Sequence, residues 1–117
     1  MKSLKRHLLL TSLLLLVASQ AYAYGTLSGK VIQVRVDRQG QGMVVFDTPI
    51  VNAPPACTIS AYANAFAFDT NTAGGRAILA TALAAKATDT VIQVFGTGAC
   101  TTYGNYVEDW SYGVLMQ

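Results

Sequence analysis

The feature that most constrains this chain lies at its N-terminus, because it decides how much of the sequence has to fold. Lys2, Lys5 and Arg6 precede an apolar run from Leu8 to Val17, and Ala21-Tyr22-Ala23 supplies small residues at the positions a signal peptidase reads. This is the three-part pattern of a secretory signal. The run is shorter than the roughly 20 apolar residues that span a bilayer, which argues against a retained anchor. Residues 1–23 are therefore expected to be removed after Ala23, leaving one exported domain of residues 24–117, periplasmic or secreted, without stable membrane insertion.

Removing the signal changes the charge balance. The retained bases are Lys30, Arg35, Arg38, Arg76 and Lys86. They are outnumbered by Asp37, Asp47, Asp69, Asp89, Glu108 and Asp109, for a net charge of −1. A near-neutral surface carries no electrostatic footprint for nucleic acid. Cys57 and Cys100 are the only cysteines, and an exported chain allows them one intramolecular pairing. A small domain gains from such a staple, about 4 kcal/mol for a loop of this length.

The remaining pattern is mainly strand. Ile32, Val34 and Val36 alternate with polar residues, whereas Leu27 and Val31 are in the other phase. This predicts one long first strand bent near Gly29. A polar turn at Arg38–Gly42 leads to a second strand over Met43–Asp47, and all three prolines fall in a loop from Thr48 to Ala56. Cys57 to Phe68 reads as a third strand, with Tyr62, Asn64, Phe66 and Phe68 on one face and alanines on the other. Thr72 is the expected N-cap of an alanine-rich helix over Gly74–Ala87. A fourth strand over Thr90–Phe95 follows, then a last one around Trp110, Tyr112, Val114 and Met116. Three strands, a helix and two strands match the order of an OB-fold, a five-stranded barrel with its helix between the third and fourth strands. A small α+β sheet with one helix on a face has the same order.

Catalytic chemistry finds little support. The only histidine, His7, lies in the signal, so Ser-His-Asp and Cys-His arrangements are excluded from the mature chain. With the cysteines oxidised, the usual zinc and copper ligand sets are missing too, and neither a metal nor a cofactor is expected. Glu108-Asp109 is the one adjacent acid pair. Neighbours on a strand point to opposite faces, so the pair reads as a solvated strand end. Tyr103 and Tyr106 stand out, because they lie in a glycine- and asparagine-containing loop where rings can face a sugar or peptide.

The stretch SGKVIQV, the block FAFDTNTAGGRAILATALAAKATDTVIQVFGTGAC and the glycine-aromatic loop after it resemble the B-subunit-like proteins of the subtilase cytotoxin family. That resemblance implies an OB-fold similar to the B subunits of bacterial AB-type toxins, which form pentameric rings and bind cell-surface glycans. The partners it implies are glycans, four further copies of the chain and an enzymatic A subunit. In the toxin B subunits, the serine that contacts sialylated glycans precedes a glycine early in the first strand, and Ser28-Gly29 matches it. The acidic residue preceding that serine has no match near Tyr24, and the aromatic pair ending the fourth strand is reduced to Phe95-Gly96. The expected function is thus a non-catalytic glycan-binding module with Ser28, Tyr103 and Tyr106 as candidate binding residues. The alternative is a monomeric periplasmic or cell-surface interaction protein without glycan binding.

Overall fold

The structure is a computed structural model that describes residues 23–117. The signal-peptide reading therefore falls, up to Tyr22, outside the described residues. The domain is mainly β with one α-helix. Its strands are β1 (Gly25–Gly29), β2 (Val31–Val36), β3 (Gln41–Phe46), β4 (Val51–Asn52), β5 (Ala65–Asp69), β6 (Ile92–Gly96) and β7 (Glu108–Leu115). Helix α1 spans Ala73–Thr88.

The five-stranded barrel expected from the sequence is not what forms. Seven strands make a mixed sheet in the open order β2-β3-β5-β7-β6-β1-β4, and the helix follows the fifth strand rather than the third. The extra strands have local causes. At Lys30 the backbone N–H is taken by the Asp47 carboxylate at 2.8 Å. The expected first strand is thereby divided into β1, which pairs with β6, and β2, which pairs with β3. Within the proline-rich segment, Val51-Asn52 adds a short edge beside β1. The third expected strand is cut back to Ala65–Asp69, and a 3₁₀ turn at Ser60–Tyr62 replaces its first half. Asn64 closes off the ladder by donating its side-chain amide to the Phe46 carbonyl at 2.8 Å.

Helix α1 starts where its cap predicts. The Thr72 hydroxyl accepts from the Gly75 N–H at 2.9 Å, satisfying one orphan donor of the first turn. The helix ends at Asp89, which adopts the left-handed conformation with φ 55°. Ala82 and Ala85 face the core, where their small side chains let the helix approach the sheet. Phe46, Phe66 and Trp110 form an aromatic centre with ring centroids 6.1–6.5 Å apart. Leu27, Val44, Ile92 and Val94 complete it. The inward phase of β6 (Ile92, Val94, Gly96) puts Gln93 and Phe95 on its other face, where Phe95 stacks on Tyr112 at 4.4 Å.

Candidate functional site

The opposite face of β5 carries Ala65 and Ala67 ahead of the terminal Asp69, and the small alanine side chains leave room above the sheet. Two loops fill it. With Met43 and Val107, the alanines form a second small core against which Val45, Tyr62 and Tyr103 pack. The loops are held together by the disulfide Cys57–Cys100, as expected, with Cα atoms 6.1 Å apart. A hydrogen bond from the Ile59 N–H to the Tyr106 carbonyl at 3.1 Å adds a second tie.

Between the loops lies an open cleft of about 300 Å³, lined by Arg35, Met43, Ile59, Tyr62, Tyr103, Tyr106 and Val107. Its polar wall is pre-ordered. Arg35 and Asp37 are two apart on β2 and its end, so they share a face. Arg35 Nε donates to Asp37 Oδ1 at 2.6 Å, and the Tyr103 hydroxyl donates to Asp37 Oδ2. The guanidinium carbon also sits 5.8 Å from the centre of the Tyr103 ring, within cation–π range. Arg35, and secondarily the Tyr103 hydroxyl, hold the Asp37 carboxyl below its ordinary pKa. Burial, and then the bond to Asp37, push the Tyr103 phenol far above its ordinary range, so the hydroxyl stays a donor. Tyr106 is 52% exposed and presents its ring to solvent at the cleft's rim.

The candidate residues do not converge on one site. Tyr103 and Tyr106 share the cleft just described. Ser28 lines a different one of about 380 Å³, with Thr26, Leu27, Thr48, Pro49, Val51 and Gln93. Gly29 has a structural explanation of its own, since a Cβ there would collide with the side chains of Asp47 and Thr48. Tyr62, Arg35, Asp37 and Ile59 join the tyrosine site although the sequence does not single them out. The available signal is the Arg-x-Asp spacing on a strand, which puts both side chains on one face.

The acid pair departs further from expectation. Glu108 is fully buried and Asp109 nearly so, although their sequence reads as a solvated strand end. They do point apart. Asp109 accepts from the backbone N–H groups of Thr101 and Thr102 at 2.8 and 3.0 Å, whereas Glu108 accepts from Gly25 and Gly98. Among the described residues, no group of three or more His, Cys, Asp or Glu side chains could hold a metal ion. Nor is any helix there long and apolar enough to cross a membrane.

Comparison with known protein families, curated proteins and solved structures finds no match to this chain.

Proposed function

We propose that this is an exported, non-catalytic binding module that takes a carbohydrate in the cleft between Tyr62, Tyr103 and Tyr106. The observation that carries this reading is the convergence of three tyrosines on one open cleft beside a pre-ordered Arg35–Asp37 pair. Tyrosine rings give flat apolar surface at low entropic cost, which suits the apolar face of a sugar ring. The guanidinium and the phenolic hydroxyls supply directional polar contacts at its edges. The Tyr103 hydroxyl faces the Asp37 carboxylate but keeps its proton, because burial and that bond push the phenol far above its ordinary range, which suits holding more than nucleophilic attack.

Support for glycan binding comes from this cleft and not from the resemblance, since the barrel that the resemblance implies is absent. Ser28 is separate from the cleft and has no part in the proposal. The pentamer and the enzymatic partner implied by the resemblance are not needed for binding here. A ring would only multiply weak sites through multivalency, and light scattering across a concentration series reads the assembly state directly. Glycan-array screening followed by titration calorimetry tests the binding. Tyr106→Ala is expected to weaken the best ligand about tenfold or more, as loss of an exposed aromatic anchor typically does, with an unchanged circular dichroism spectrum. An array without any bound glycan refutes the carbohydrate reading.

One observation favours the second reading, an interaction protein without sugar binding. Tyr112, Val114 and Met116 are all exposed along β7 and its end, beside Phe95 and Val91. Contiguous apolar surface on a sheet face is a common mark of protein contacts. An array without any bound glycan, together with a protein partner lost on Val114→Glu, would favour it.

A further inference from the structure

Glu108 has no role in the tyrosine cleft, and its surroundings are specific. Its carboxylate lies in a pocket walled by three glycines. A Cβ on Gly25 or on Gly96 would collide with the carboxylate oxygens, so each must be glycine for the carboxylate to fit. The Gly25 N–H lies 3.0 Å from both oxygens, and the Gly98 N–H donates to Oε2 at 3.0 Å. Two backbone donors leave part of the carboxylate's capacity of about four hydrogen bonds unused. A buried carboxylate is costly without a cationic partner, and among the described residues neither Lys nor Arg is a hydrogen-bond partner of it. Asp109 is the charged group acting on it, with a sign that adds to the cost, though its own carboxylate turns away towards Thr101 and Thr102.

The start of the mature chain runs past this pocket. Gly25, which binds the carboxylate, is the second residue after the expected cleavage point. The Ala23 carbonyl oxygen packs so closely on Gly98 that a Cβ there would collide with it. Tyr24 thus lies between two residues that touch the pocket. Its nitrogen is one residue step, about 3.8 Å between Cα atoms, from the Gly25 N–H. In the precursor that nitrogen is a neutral amide. Hydrolysis of the Ala23–Tyr24 bond by a signal peptidase consumes one water. It leaves a carboxylate on Ala23 and an amine on Tyr24, which takes up a proton to become an ammonium with three donors.

We propose that cleavage after Ala23 delivers the α-ammonium of Tyr24 to Glu108, and that the glycine-walled pocket is an ammonium-binding site for the chain's own mature N-terminus. The inference rests on the cleavage position read from the sequence and is independent of the glycan reading. Its consequence is directional: the native state gains a charge-assisted contact only after export, when the leader has gone. The precursor, in which Glu108 is buried with amide donors alone, is the less stable form.

The test uses the full precursor secreted from a suitable host, with a second version carrying Gly-Ser-Gly between Ala23 and Tyr24. Both exported proteins keep every residue of the domain and differ in where the ammonium falls, which mass spectrometry verifies. The insertion is expected to raise the Glu108 titration midpoint, read by carboxyl carbon NMR, by about one pH unit or more. It should also lower the folded-to-unfolded ratio about tenfold at about pH 6.5, the size expected for a hydrogen bond to a charged group. Pairing with a carboxylate raises an ammonium's pKa, so the difference is present below about pH 8, the ordinary α-amino range, as long as Glu108 is ionised. It vanishes as pH rises through the raised ammonium value and also as pH falls through the Glu108 midpoint. Equal Glu108 midpoints and equal stability in the two proteins would overturn the proposal, as would an exported wild-type chain that starts anywhere but Tyr24. In a Glu108→Gln background the insertion should no longer matter, and a persisting effect would mean that the ammonium acts elsewhere. If that variant does not fold, the insertion pair alone decides.

Discussion

Replacing both Cys57 and Cys100 with alanine should cost this domain much of its stability and should open the tyrosine cleft first. The cysteines are 43 residues apart in sequence. For a closed loop of that size, the lost restriction on the unfolded chain amounts to about 4 kcal/mol at 25 °C. A domain of this length has roughly 5–15 kcal/mol in total, so the variant is expected to fold but to be marginal. With a urea slope of about 1.5 kcal/mol/M, the unfolding midpoint should fall by roughly 2–3 M. The effect should also be uneven. The bridge joins the segment carrying Ile59 and Tyr62 to the one carrying Tyr103 and Tyr106, whose other direct backbone tie is the Ile59–Tyr106 hydrogen bond. Amide exchange at Ile59 should therefore accelerate far more than at Val44, which lies fully buried in the main core. A stability loss under about 1 kcal/mol, or equal acceleration at both amides, would refute the reasoning. The first would mean that the unfolded chain is already compact, the second that the loops do not depend on the bridge.

Other expected outcomes follow from single contacts. Two adjacent helix glycines should respond oppositely. Gly74→Ala adds a methyl group where there is open space and should stabilise by up to about 1 kcal/mol. Gly75→Ala drives a Cβ into the Asp69 backbone and should destabilise by about 1–3 kcal/mol in denaturant titration. Phe66→Ala removes the ring that meets both Phe46 and Trp110 and should lose about 3–5 kcal/mol, read by the same titration. Asp37 has a folded pKa below its ordinary 3.8. Its contribution to stability is thus present above that value and lost as pH falls through the lowered one. Carboxyl NMR should show its midpoint rising in Arg35→Gln and, by less, in Tyr103→Phe.

How far the sequence can be read depends on whether a pattern has one structural meaning. The disulfide has one pairing available, and Thr72 has one helix to cap, so both are legible. Alternation along Cys57–Phe68 has more than one. It suits a strand, but it does not show whether a neighbour supplies hydrogen bonds, and the structure takes only Ala65–Asp69 into the sheet. The tyrosine cleft is half legible for a similar reason. Tyr103 and Tyr106 announce an exposed loop, whereas Tyr62, Arg35 and Asp37 reach it only because β2, β3 and β5 pair side by side.

The acid pair marks the deepest limit, and its explanation lies in one pairing. Reading Glu108-Asp109 as a solvated end assumes a strand with one wet face, the usual antiparallel case. At this point β7 instead runs parallel to β5, with Phe66 opposite Glu108 and Ala67 opposite Asp109. It lies mid-sheet between β5 and β6. Strands in parallel pairs are commonly covered on both faces, and here the core lies on one side and the loop of Thr101 and Thr102 on the other. Successive acids are therefore both enclosed, and each requires its own donors. Those for Asp109 lie within eight residues of it in sequence, while the Gly25 donor for Glu108 is 83 residues away. A local motif can be recognised by its spacing, but a pocket that joins Gly25 to the last strand appears only once the strands are paired.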